Sequence, residues 1–248
     1  MFESVRRASA PLDRLDPRGR IVAALVFCVV DTLAMRFTTL LLALGVAVLA
    51  AGLAGIRPRA VLARLVPLNL FMVLVLLIVP LSTRGTPLAT FGDLEYSQEG
   101  FWLAVAVVLK GNAVLLAIMA LVASMDAIVL GHALHHLGVP DKLVHLMLFS
   151  VRYFDVLRRE YLRLAAALKI RGFQPRMNRH TYRAYGHLVG MLLVRSLDHS
   201  ERIVAAMKCR GFRGRFYLLD HFALSRRDAC FATIAAAVVV LLAWVELA

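Results

Sequence analysis

The chain has 248 residues and is 60% hydrophobic with a mean hydropathy of +0.74, yet its 29 Lys and Arg outnumber its 16 Asp and Glu for a formal charge of +13. Apolar runs on this scale exclude an ordinary soluble domain, and they also exclude the nucleic-acid binder for which the charge alone would argue. The class that fits both is a multi-pass inner-membrane protein whose basic segments stay cytoplasmic.

The apolar stretch from Ile21 to Gly55 is too long for one crossing, since about 20 residues span the hydrocarbon core. Asp31 and Arg36 interrupt it, so it divides into two short helices, about Arg20–Met35 and Thr38–Leu53, joined by a tight hairpin. A third span runs over about Arg64–Ser82, with Pro67 in its first turn, where a missing N–H is harmless. Thr83 to Gly100 reads as a polar loop. The fourth span follows at about Phe101–Ala123 and the fifth at about Ala229–Leu247. Lys110 falls inside span four, where a charge is costly. Asp31 is a candidate partner for it, and snorkelling toward water is the plainer alternative. Asn69 and Asn112 suit hydrogen bonds between helices. The first apolar run leads straight into a second span without a small-residue cleavage site, which argues against a cleaved signal peptide.

The basic residues set an orientation. Arg6, Arg7, Arg14, Arg18 and Arg20 precede span one, and Arg57, Arg59 and Arg64 lie between spans two and three; only Arg36 and Arg84 fall on the other side. Residues 126–228 hold 18 of the 29 Lys and Arg against 8 acidic residues. The positive-inside rule then places the N-terminus and this block in the cytoplasm and the C-terminus outside. The expected architecture is all-α: a membrane domain over 1–124 with four spans, a cytoplasmic helical domain over 125–228, and a final span over 229–248.

Within the block, Ser124 or Asp126 can cap a short helix from Ala127 to Leu137 that stops at Gly138, with Pro140 beyond. A second helix starts near Asp141. Its apolar positions (among them Leu143, Met147, Phe154, Leu157, Tyr161, Leu164 and Leu168) recur at the helical period. Asp155 with Arg159 and Glu160 with Arg163 have pairing spacing on its other face. It ends at Gly172, with Pro175 shortly after. A third helix, about His180–Arg210, ends at Gly211. Gly186 and Gly190 form a small-xxx-small pair that would let another helix cross closely. The two long helices should pack on each other and under the membrane spans.

Their endings are near-copies: Lys169-Ile170-Arg171-Gly172-Phe173 and Lys208-Cys209-Arg210-Gly211-Phe212. A cation at a helix C-terminus and a glycine just past it make an ordinary stop. Recurrence with Phe both times exceeds what capping requires. It suggests two equivalent knobs, displayed as a pair with Phe173 and Phe212 as exposed anchors beside each arginine, that fit two equivalent sockets of a partner such as an ATPase dimer.

Together with Leu15-Asp16-Pro17-Arg18, Leu137-Gly138-Val139-Pro140 and Arg152-Tyr153-Phe154, these endings make the chain resemble the transmembrane T component of energy-coupling-factor (ECF) transporters, the CbiQ/EcfT family. The resemblance covers nearly the whole chain. The family's paired Ala-Arg-Gly motifs correspond to Ile170-Arg171-Gly172 and Cys209-Arg210-Gly211, with the alanine replaced in both. The resemblance implies two ATP-binding subunits that hydrolyse ATP, a substrate-specific membrane S component and a small accessory membrane subunit as partners. Each Arg-Gly end would dock in a groove of one ATPase subunit, and ATP-driven closure would shift the crossed helices and reorient the S component. The continuation Arg213-Gly214-Arg215-Phe216 is similar to the CbiQ branch that serves cobalt, with nickel relatives close by.

Other chemistries find little footing. No GxxxxGK[S/T] loop, HExxH or Ser/His/Asp set is present, so the chain reads as a non-enzyme without a cofactor or metal site of its own. His132, His135, His136 and His145 lie close in sequence, and His132 and His136 share a helix face. No acidic or thiol neighbour completes a site, and structural or interfacial roles fit them better. Cys28, Cys209 and Cys230 are isolated and read as small apolar residues. A stand-alone secondary transporter, with Lys110, Asp31 and the asparagines lining a path, would call for internal repeats and matching broken helices, which the sequence lacks. An integral-membrane enzyme would need a catalytic set that the histidines do not supply.

Overall fold

The computed structural model describes residues 15–83, 86–91, 94–212 and 226–247. In chain order they form α1 (Pro17–Leu33), α2 (Phe37–Leu53), α3 (Pro58–Ser82), β1 (Pro87–Phe91), β2 (Leu94–Ser97), α4 (Gln98–Leu121), α5 (Ala127–His136), α6 (Asp141–Ile170), α7 (Arg179–Cys209) and α8 (Arg226–Leu247). This is an all-α membrane fold carrying one small hairpin. It divides into two compact units, Met1–Ala133 with Phe222–Ala248, and Leu134–His221.

In the first unit α3, α4 and α8 are long and apolar enough to cross a membrane. Helices α1 and α2 have 17 residues each, the short end of what spans a bilayer. Asp16 starts α1 by accepting a hydrogen bond from the Arg18 N–H at 2.9 Å, and Pro17 follows at the first helical position. The buried positions of α1 (Arg20, Ala24, Phe27 and Asp31) fall on one stripe, as do Leu40, Ala43, Ala47 and Ala51 of α2. Those alanines meet Ala113, Leu116, Ala117 and Ala120 of α4 in the unit's core. Lipid removes the hydrophobic drive between helices, so close small-residue packing and polar bonds hold such a bundle.

Those bonds fix the helix directions. Arg20 near the start of α1 donates to the Ala120 carbonyl at 3.2 Å and to Ser124 Oγ, both at the end of α4. Asn112 Nδ2 donates to Asn69 Oδ1 at 2.9 Å between α4 and α3, the interhelical bond expected of such residues. Helix α8 is tied to α1 at both ends: Asp228 Oδ1 accepts from the Asp16 N–H, and Glu246 Oε1 accepts from the Met35 N–H, each at 2.7 Å. The five helices thus alternate, with α1, α3 and α8 running one way and α2 and α4 the other. The starts of α1, α3 and α8 and the ends of α2 and α4 share one face.

Two expectations change, at Pro67 and in the polar loop, and the contact of Lys110 becomes specific. Helix α3 begins at Pro58, so Pro67 lies in its interior rather than its first turn and cannot donate to the Ala63 carbonyl. The polar loop contains an antiparallel hairpin pairing Pro87 with Ser97 and Phe91 with Leu94. Lys110 Nζ donates to the Thr32 carbonyl at 2.8 Å, and its charge acts on its candidate partner, the buried Asp31 carboxylate, without a hydrogen bond between them. Where the two helices α3 and α4 converge, Gly100 is required: a Cβ there would sit 2.7 Å from Pro80 Cα.

In the second unit α6 and α7, of 30 and 31 residues, form a helical hairpin whose chains cross.

Candidate functional site: two glycine-stopped helix ends

Helices α6 and α7 end with the same pair of closing bonds. Gly172 has φ 76° and Gly211 has φ 78°, the left-handed region where a Cβ is penalised. At the first end the Gly172 N–H donates to the Lys169 carbonyl at 3.0 Å and the Phe173 N–H to the Leu168 carbonyl at 3.1 Å. At the second the Gly211 N–H donates to Lys208 and the Phe212 N–H to Met207, each at 3.0 Å. Both are Schellman stops, in which the residue after the glycine closes the larger loop.

A third helix end supplies the comparison. At the close of α5 the Gly138 N–H donates to the His135 carbonyl at 3.1 Å and the Val139 N–H to Leu134 at 3.2 Å, with Gly138 at φ 91°. The flanking residues here are Leu137 and Val139. The stop therefore needs the glycine and two backbone N–H groups, not arginine before it or phenylalanine after it. Capping leaves Arg171 and Arg210 unexplained, and both are exposed.

The ends do not stand side by side. Phe173 packs edge-on against Tyr185, with centroids 5.8 Å apart, and against His180 at 6.3 Å, which places the α6 end beside the first turns of α7. Arg210 closes the far end of α7. The two tips are thus separated by the length of that helix, roughly 45 Å at 1.5 Å per residue. This corrects the expectation of a displayed pair. The phenylalanines also differ from expectation: both are half-buried, Phe173 against α7 and Phe212 at the groove between the two helices. The apolar side chains standing out at the first tip are Ile170, 87% exposed, and Met177, 92% exposed. Ile170 lies off the apolar stripe of α6, a signal that was readable but masked by the neighbouring repeat of Phe.

The crossing also lies elsewhere than expected. A Cβ added at Gly186 or Gly190 would meet nothing within 4 Å, so neither glycine brokers the contact of α6 with α7. That contact centres on Glu160 of α6, whose carboxylate pairs with Arg195 of α7 and, at 3.5 Å, with Arg163 one turn on. The hydrogen bond from Arg195 holds the Glu160 carboxyl below its ordinary range. Tyr153 meets His199 edge-on at 5.9 Å and stacks on Phe149 at 5.8 Å. Asp155 is not paired through its carboxylate with Arg159; Arg159 Nε reaches its backbone carbonyl at 3.4 Å.

From the crossing toward the start of α6 and the end of α7, the helices part around a groove of about 870 Å³. Leu146, Phe149, Leu157, Ile203, Met207 and Phe212 make its apolar wall. Arg163, Arg195 and Arg202 line it as well, and Glu160 is the acid among the lining residues. Of the four histidines, His135 has a structural contact: its Nδ1 lies 2.9 Å from Asp141 Oδ1 across the turn that joins α5 to α6. Among the described residues no three His, Cys, Asp or Glu gather as a metal would require. The continuation Arg213-Gly214-Arg215-Phe216 lies outside the described residues.

The chain is similar to two curated proteins of bacteria. It is 32% identical over 80 residues to the nickel permease LarQ of Lactiplantibacillus plantarum, a match covering 32% of this chain and 29% of that relative's length. It is 27% identical over 213 residues to the energy-coupling factor transporter transmembrane protein EcfT of Acidaminococcus fermentans, covering 82% of this chain and 80% of the relative. The family model described as CbiQ, cobalt transport protein, matches residues 8–218, so α1 to α4 and both Arg-Gly ends fall within it, and the chain belongs to that family of transporter membrane proteins.

Proposed function

We propose that this chain is the non-catalytic coupling subunit of an ECF-type importer, transmitting ATP-driven motion to a separate substrate-binding membrane subunit. Arg171-Gly172 and Arg210-Gly211 each dock in a socket on one of two ATP-binding subunits, where the guanidinium pairs with carboxylates. One observation carries this reading: arginine recurs at two helix ends that do not need it for capping, set a whole helix length apart, as two separate sockets require. When the ATP-binding subunits close, the sockets approach and the crossed helices shift. The substrate-binding subunit, packed on the apolar faces of α6 and α7, reorients and releases its cargo inward. Residues 125–228 form the cytoplasmic coupling domain, between membrane parts 1–124 and 229–248. The protein sits in the bacterial inner membrane with its N-terminus inside and its C-terminus outside.

Cobalt is the proposed cargo, on the strength of the family, and a small accessory membrane subunit belongs to that arrangement. Nickel is the second reading, favoured by the similarity to a nickel permease. The test is the double variant Arg171→Ala/Arg210→Ala, expressed with its partner subunits. Metal uptake should vanish and the ATP-binding subunits should fail to co-purify. Wild-type uptake with normal co-purification would overturn the docking assignment and favour a transporter that works alone.

A further inference from the structure

The first unit uses some of its arginines and leaves others over. Arg20 donates to the end of α4, and Arg36 lies beside Glu246. The side chains of Arg57, Arg59 and Arg64, at the turn from α2 to α3 and in the first two turns of α3, make no hydrogen bond or ion pair among the described residues. No acidic residue occurs in the sequence between Asp31 and Asp93, so neither helix joined by this turn supplies one. The backbone that carries the three is nevertheless fixed, since the Ala60 and Val61 N–H groups donate to the Arg57 carbonyl at 2.8 and 3.2 Å. Helix α3 turns Val61, Leu65 and Asn69 toward the bundle, where Asn69 meets Asn112 of α4. At about 100° per residue, Arg59 then falls on one flank of the outward face and Arg64 on the other, with Arg57 at the cap above. Ala60 and Ala63 floor the arc between them, and below it Pro67, Leu70 and Leu74 are exposed.

We propose that this arc binds an anionic phospholipid. The phosphate lies over the two alanines between the guanidiniums of Arg59 and Arg64, Arg57 covers it from the turn, and an acyl chain runs along Pro67, Leu70 and Leu74. Guanidinium forks match phosphate oxygens two at a time, and basic side chains at the ends of spanning helices draw anionic headgroups. Helix α3 is long and apolar enough to cross a membrane and is almost unburied along its length, so the face beneath the arginines is one that lipid chains cover. Positive charge at this turn orients the chain in the bilayer whatever its geometry; the arc adds a place for one lipid. The inference is independent of the docking of the helix ends and survives its failure.

Thermal unfolding of the full chain, purified in detergent and stripped of lipid, tests this. Phosphatidylglycerol should raise the midpoint and saturate, whereas phosphatidylcholine should not. Glycerol phosphate and inorganic phosphate should not replace the lipid, because the arc below the arginines takes hydrocarbon. Arg57→Gln/Arg59→Gln/Arg64→Gln should raise the half-saturating lipid concentration by about a hundredfold. Arg158→Gln/Arg179→Gln/Arg183→Gln, an equal change of net charge on exposed side chains of α6 and α7, should leave it unchanged. Arg57→Lys/Arg59→Lys/Arg64→Lys keeps the charge that orients the chain and should still raise it about fivefold, since lysine lacks the fork. Wild-type saturation in either variant of the α2–α3 turn would overturn the site. So would an equal effect of phosphatidylcholine or of either free phosphate, or the same loss in the α6–α7 variant.

Discussion

At Gly172 and Gly211 the backbone sits in a conformation that costs an L-residue roughly 1–2 kcal/mol, and the side chains before them take no part in the stop. Glycine and arginine substitutions should therefore fail in different ways. Gly172→Ala should destabilise the α6 end by roughly 1–2 kcal/mol, read as faster amide exchange at positions 172 and 173, whose N–H groups make the closing bonds. Arg171→Ala should leave that exchange unchanged, because the bonds belong to the backbone, and should weaken only the association with partner subunits. If Arg171→Ala frays the helix end as much as Gly172→Ala does, the arginine is a cap and no knob. Ile170 belongs to the same surface: an 87% exposed isoleucine beside an exposed arginine costs something in water and gains when a partner covers it.

The crossing of α6 over α7 rests on a single carboxylate shared between two guanidiniums, plus the ring contact of Tyr153 with His199. Glu160→Gln should lower the unfolding midpoint of the protein in detergent, and adding Arg195→Gln should lower it little further, since the pair is already lost. The sign of its pH dependence follows from the depressed Glu160 pKa. The contribution is complete above the ordinary glutamate pKa, near 4.3, and is lost only as pH falls through the lower folded value. The effect of Glu160→Gln should thus be the same at pH 8 as at mildly acidic pH, and a fading effect already near neutrality would contradict the pair. The sequence disclosed the glycine stops, the apolar stripe of α6 and the Glu160–Arg163 spacing, because each is decided within a few residues. It could not disclose Arg195, 35 positions from Glu160, nor that Gly186 and Gly190 face open space. Which faces of two helices meet depends on their crossing, and local periodicity permits many crossings. The inward turn of Phe173 has the same origin: its partners His180 and Tyr185 become neighbours only once α7 folds back.

Alternation of the five helices in the first unit gives the charge pattern a geometric meaning. Arg18, Arg20, Arg57, Arg59, Arg64 and Arg227 all lie at the face shared by the starts of α1, α3 and α8, whereas Arg36 lies in the opposite turn, beside Glu246. The sequence placed these residues on two sides from span counting alone, and the bonds of Asp228 to Asp16 and of Glu246 to Met35 support the same parity independently of hydropathy. The chain leaves the unit after α4 and re-enters it at α8 through that basic face, which the positive-inside rule assigns to the cytoplasm; a cytoplasmic place for α6 and α7 is the proposal that follows from it. Thiol labelling tests the assignment directly. Cys209 is exposed, and with Cys28 and Cys230 replaced by serine it becomes the lone thiol. A membrane-impermeant maleimide should modify it in inside-out vesicles and spare it in intact cells. Met35→Cys, in the α1–α2 turn at a position 82% exposed, should behave in the reverse way in a cysteine-free background. Labelling of both from the same side would break the alternation. Labelling of Cys209 from outside would invert the molecule and place both arginine ends where no ATP-binding subunit could reach them.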